Sequence, residues 1–135
     1  MKAFQRRKFM AEPNEHRRAI EPKDWAKFLE DFSSRNKNRR ARFNIFFNSG
    51  ETLEEGEEGH LESVALNKDG NKTLVIVKRA DRTSGNEETM TDTIENVRGV
   101  TVQFDTDGSE DILEITDGKN TLFSLRFESK VDGAS

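Results

Sequence analysis

A chain of 135 residues is the size of one domain and can bury a core without a covalent staple. It has no cysteine, which excludes disulfides and thiolate zinc sites, and no apolar run near the roughly 18 residues a membrane-spanning helix needs. Charge is split by position: residues 1–42 hold 13 Lys/Arg against 6 Asp/Glu, a net of +7, and residues 43–135 hold 9 against 20, a net of −11. A basic front of this kind meets either an external anion or the chain's own acidic back.

Residues 1–19 are basic, lack periodicity and read as a flexible arm. No apolar segment follows Lys2, Arg6, Arg7 and Lys8, so the start is not a secretory signal, and a cytoplasmic protein without a membrane partner is expected. Met10-Ala11-Glu12 would serve equally well as a start, which would make residues 1–9 an extension; Met1 in the mass of the native protein would exclude this.

Residues 21–36 predict an amphipathic helix. Trp25, Phe28, Leu29 and Phe32 recur at i, i+3, i+4 and i+7, one apolar stripe. Pro22 suits the first helical position, with Glu21 before it as N-cap. Ile20 and Trp25 have the spacing of a hydrophobic staple.

Strands follow. Ala41, Phe43, Ile45 and Phe47 alternate with Arg40, Arg42, Asn44 and Phe46, which turns Arg40 and Arg42 outward. The acidic stretch from Asn48 to Gly59 reads as a solvated loop. Leu61–Leu66 and Thr73–Lys78 form a hairpin through Asp69-Gly70, and a further strand runs near Thr89–Ile94 after a polar loop. Val100, Val102 and Phe104, then Ile112–Ile115, then Phe123, Leu125 and Phe127 are strands joined at Asp107-Gly108 and Asp117-Gly118. Asp-Gly between apolar runs is a hairpin signal, because glycine accepts the positive φ of the turn.

The expected fold class is α+β: one N-terminal helix, then a bent antiparallel meander of about six strands. The helix stripe covers the sheet, or the sheet curls into a small, partly open barrel. The domain spans residues 20–128, and residues 129–135 form a flexible tail.

Two clusters are candidates for chemistry. Arg35, Lys37, Arg39, Arg40 and Arg42 place five cations and no acid where helix hands over to strand, suited to phosphates or to an acidic partner. The alternative use is a solvated helix end paired with nearby carboxylates. Asp105, Asp107 and Asp111 surround Gly108 with oxygen ligands at alternate positions, a candidate cation loop. The position where a calcium loop carries its last Glu is Thr116, so a plain hairpin turn competes with it. The histidines, His16 and His60, are isolated in sequence, and no phosphate loop or nucleophile elbow is present, so catalysis is not expected.

Two resemblances accompany these readings. Asn96-Val97-Arg98-Gly99 resembles the second motif of Sm-like RNA-binding proteins, in which a helix precedes a bent five-stranded sheet, although about 30 residues still follow here. Ile20, Pro22-Lys23, Trp25, Phe28-Leu29, Phe32-Ser33, Asn36, Arg39 and Ala41-Arg42 resemble the opening of a family of small bacterial proteins of unknown function. That resemblance implies a bacterial origin and a single domain of helix, basic junction and β-rich remainder; it carries no activity and no site residue. The expected function is a non-catalytic protein-interaction or self-associating module, with a protein partner or homodimer. The alternative is RNA or single-stranded DNA binding through residues 35–42, and no cofactor or small-molecule ligand is expected.

Overall fold

The computed structural model describes residues 16–54, 59–81 and 88–128. Most of the predicted arm, the Glu55–Glu58 part of the acidic loop and the predicted tail lie outside the described residues. The elements are β1 (Arg17–Ile20), a 3₁₀ turn (Pro22–Asp24), α1 (Trp25–Asn36), β2 (Arg40–Phe46), β3 (Thr52–Glu54), β4 (Gly59–Asp69), β5 (Lys72–Asp81), β6 (Glu88–Ile94), β7 (Val97–Phe104), β8 (Glu110–Asp117) and β9 (Leu122–Phe127).

The fold is α+β, as the patterning predicts, with three corrections. The helix is not strictly N-terminal, because Arg17–Ile20, assigned by sequence mostly to the arm, pairs antiparallel with β7. Nine strands among the described residues replace about six; β1 and β3 are too short for a period-two signal to stand out. The sheet is open and is not a simple meander, since its order is β1-β7-β8-β9-β2-β4-β5-β6 with β3 on β2. Two three-stranded meanders, β4-β5-β6 and β7-β8-β9, are joined by β2.

The helix begins as sequence chemistry dictates. Pro22 opens the 3₁₀ turn, and the Asp24 N–H bonds the Glu21 carbonyl at 2.8 Å. The Trp25 indole N–H donates to the Ile20 carbonyl at 2.9 Å, which fixes the angle between β1 and α1. Trp25, Phe28, Leu29 and Phe32 are all buried, and each is worth roughly 1.5–3 kcal/mol of transfer free energy. They join Val64, Val75 and Val77 from one meander and Val102, Leu113 and Leu125 from the other in a single core.

The sparsest pairing between neighbours in the sheet is that of β2 with β4. These strands share only two paired positions, Arg40 with His60 and Ala41 with Gly59. A Cβ at Gly59 would lie 2.7 Å from the Met90 methyl carbon and 3.0 Å from the Arg79 Cβ, so a side chain there would collide with β5 and β6. The Asn38 N–H reaches the Leu61 carbonyl at 2.8 Å and the Leu61 N–H reaches the Arg39 carbonyl at 2.9 Å, so the helix–strand junction is tied to β4. Gly70 and Gly108 take the positive φ their turns need, but at Asp117-Gly118 the positive φ falls on Asn120 instead.

Candidate functional site

The five predicted cations do not form one patch. The α1 residues Arg35 and Asn36 face the start of β8, whose Glu110 is brought in from more than 70 positions away. Arg35 grips the Glu110 carboxylate with two N–H groups, Nε at 3.1 Å and Nη2 at 2.7 Å. Asn36 Nδ2 donates a third bond to that carboxylate at 2.8 Å and a further one to the Phe32 carbonyl at 3.0 Å. The Glu110 side chain is 10% exposed and that of Arg35 is 48% exposed. The Glu110 bond is the main reason the Arg35 pKa rises above its ordinary value; burial opposes it.

Arg39 is also turned inward. Its Nη1 donates to the Asn36 Oδ1 at 2.9 Å and to the Glu110 carbonyl at 2.7 Å, and its Nη2 donates to the Glu128 carbonyl at 3.3 Å. The guanidinium lies 4.3 Å from the centre of the Phe127 ring, a close cation–π contact. Burial lowers the Arg39 pKa from its ordinary value, with Asp111 and Glu110 acting against the shift. Lys37 stays exposed beyond the helix end.

Arg40 and Arg42 do point outward, as alternation predicts, and both are exposed. Arg42 lies directly opposite Arg126 of β9, a residue that sequence reading did not single out. Only the β2–β9 register could have revealed it, and neither strand's own pattern encodes that register. Arg40, Arg42 and Arg126 line a surface groove of about 200 Å³ together with Ala41, Phe127 and Glu128. Arg40 approaches Glu128 at 4.0 Å and Arg42 approaches Glu54 at 3.7 Å. All four side chains in these pairs are more than half exposed, so each pair is worth about 0–1 kcal/mol.

The carboxylate candidates serve other ends. Asp105 Oδ1 accepts the Thr106 N–H at 2.7 Å, and Asp107 Oδ1 accepts the Ser109 N–H and hydroxyl at 2.9 and 2.6 Å. These are turn-closing bonds. Among the described residues no group of three His, Asp or Glu side chains is placed to hold a metal ion. Asp111 sits at the start of β8, where burial first and Asp105 second push its carboxyl above the usual carboxylate range. His60 is half-buried in β4 opposite Arg40 and Ala80; of Asn96-Val97-Arg98-Gly99, Asn96 lies in the turn at positive φ and the other three open β7.

Sequence reading also missed Arg79, which is fully buried in β5. Its guanidinium sits 5.6 Å from the centre of the Phe43 ring, donates to the Ala41 carbonyl at 3.4 Å and approaches Asp92 at 3.8 Å. Arg79 follows Val75 and Val77 on the same face of its strand, so alternation alone would have placed it inside. No family model, curated protein or solved structure matches the chain. Among the described residues no helix is long and apolar enough to cross a membrane.

Proposed function

We propose that the protein is a non-catalytic interaction module whose outer sheet face binds an acidic segment of a protein partner. The observation that carries this reading is the Arg42–Arg126 pair, held in direct register with Arg40 beside it. Like charges directly opposite one another on a sheet are destabilising, and an anion laid across them removes that cost. The exposed ion pairs to Glu54 and Glu128 are weak enough for a partner's carboxylates to replace them. Arg35 and Arg39 belong to the fold, which reduces the binding surface from five junction cations to the groove arginines. The cysteine-free composition supports a reducing, cytoplasmic setting.

The second reading is single-stranded RNA or DNA. It is favoured by Phe46, 38% exposed, which shares the outward face of β2 with Arg42 and could stack on a base. Titration of the full chain with a fluorescent Glu/Asp-rich peptide and with a labelled oligonucleotide of mixed sequence separates the two. Peptide binding that is lost in the double variant R42E/R126E supports the proposal. Oligonucleotide binding without peptide binding, with log K falling against log salt at a slope of about −2 for three arginines, replaces it with the nucleic-acid reading. Failure of both ligands at low salt rejects the groove as a binding site.

A further inference from the structure

The open sheet has ends, and they are not equally protected. β1 is four residues long and begins Arg17-Arg18, and β3 is three residues long. Short length and cations are ordinary means of keeping a strand edge from pairing with another chain. Where β4 leaves β2, α1 covers it, with Ser33 bonded to the Val64 backbone. β6 has none of these devices. It is seven residues long, contains no proline, lysine or arginine, and pairs with β5 from Val75–Ile94 to Asp81–Glu88 without a register shift. Among the described residues β5 is its only strand neighbour.

The sequence of β6 is also symmetric in the way a two-fold pairing requires. Thr89, Thr91 and Thr93 are all exposed and project from one face. We propose that a second copy of this chain adds its own β6 to this edge, antiparallel, about a two-fold axis at Thr91. Thr91 then faces the Thr91 of the second copy, and Thr89 faces its Thr93. Each exposed cross-strand pair is therefore Thr on Thr, a favourable combination on a sheet surface. On the other face Asp92 falls opposite Met90, so no carboxylate meets another; centring on Asp92 would set two carboxylates against each other. A closed, isologous dimer leaves no β6 edge exposed and cannot propagate into a fibre. This inference is independent of the arginine groove, which lies on β2 and β9.

Sedimentation equilibrium on the full chain, from low micromolar to submillimolar concentration, should show the mass rising from one to two copies. The double variant T89K/T93K sets lysines against each other and should stay at one copy with an unchanged circular dichroism spectrum and melting temperature. Since the chain has no cysteine, Thr91→Cys alone should give a disulfide-linked dimer on mild oxidation, because directly opposite Cα atoms lie about 4.5–5.5 Å apart, within disulfide reach. Thr89→Cys and Thr93→Cys, each far from its own equivalent in this register, should not. A single copy at every concentration, a dimer that survives the lysines, or crosslinking at 89 or 93 ahead of 91 would overturn the proposal. R42E/R126E should leave the dimer intact, so failure here and failure of the groove reading are distinguishable.

Discussion

The Ser33 hydroxyl closes both backbone groups of Val64: it accepts the Val64 N–H at 2.7 Å and donates to the Val64 carbonyl at 2.8 Å. One helix side chain thereby stands in for a neighbouring strand at the place where β4 has parted from β2. The backbone groups of Val64 are therefore not left bare where β4 runs on without β2 beside it.

Ser33→Ala tests that relationship. The variant leaves a part-buried N–H and carbonyl without their partner, and unsatisfied groups of this kind cost about 1–3 kcal/mol. Urea unfolding should show a lower midpoint with an unchanged slope. A midpoint equal to the parent's would mean that water replaces the hydroxyl, and that the helix covers the split by packing alone.

Glu110 supports a larger prediction. Its carboxylate takes three N–H bonds, two from Arg35 and one from the buried Asn36. Glu110→Ala removes charge-assisted bonds and should destabilise by about 2–3 kcal/mol, read from urea midpoints. Arg35→Ala should cost less, since that side chain is 48% exposed and Asn36 still serves the carboxylate. Equal losses from the two variants would show that the pair, and not the buried acceptor, carries the stabilisation.

Asp111 should behave in the opposite sense. Burial, then repulsion from Asp105, raise its pKa in the folded state, while Arg126 and Arg39 pull it down without cancelling the rise. The folded state therefore holds that proton more tightly than the unfolded chain does. Protonation stabilises the fold fully at low pH, and the benefit is lost as pH rises through the folded pKa. Asp111→Asn should thus raise the urea midpoint at neutral pH. The gain should vanish below the ordinary carboxylate pKa of about 4. A gain of equal size at both pH values would point to an effect other than ionisation.

What the sequence made legible follows the range of the interaction. The helix stripe of Trp25, Phe28, Leu29 and Phe32 is set by a local period, and all four residues are buried. Outward Arg40 and Arg42 follow from a local alternation, and both are exposed. Arg35 and Arg39 look equally free in sequence, because their partners come from β8, from Phe127 at the end of β9 and from Glu128 just after it. Among the described residues part of the charge split is met within the molecule: Arg17 pairs with Glu114, Arg35 with Glu110, Arg40 with Glu128 and Arg42 with Glu54. Each joins a front cation to a back acid: Arg35 reaches across a helix–sheet contact, Arg40 and Arg42 reach from β2 to a neighbouring strand or its end, and Arg17 on β1 reaches past β7 to β8. No one-dimensional pattern records such a pairing.

Arg39 offers a way to separate the fold's arginines from the groove's. Its planar head lies over the Phe127 ring while Nη1 serves two acceptors. A lysine keeps the charge but loses the flat stacking surface and the fork, so Arg39→Lys is not a conservative change. The variant should lose about 1–2 kcal/mol of stability, from a cation–π contact and charge-assisted bonds that lysine reproduces only in part. It should bind the acidic peptide as the parent does, because Arg40, Arg42 and Arg126 line the groove and Arg39 does not. The reverse pattern, full stability with weakened peptide binding, would move Arg39 from the fold to the binding surface and restore the junction as a single basic site.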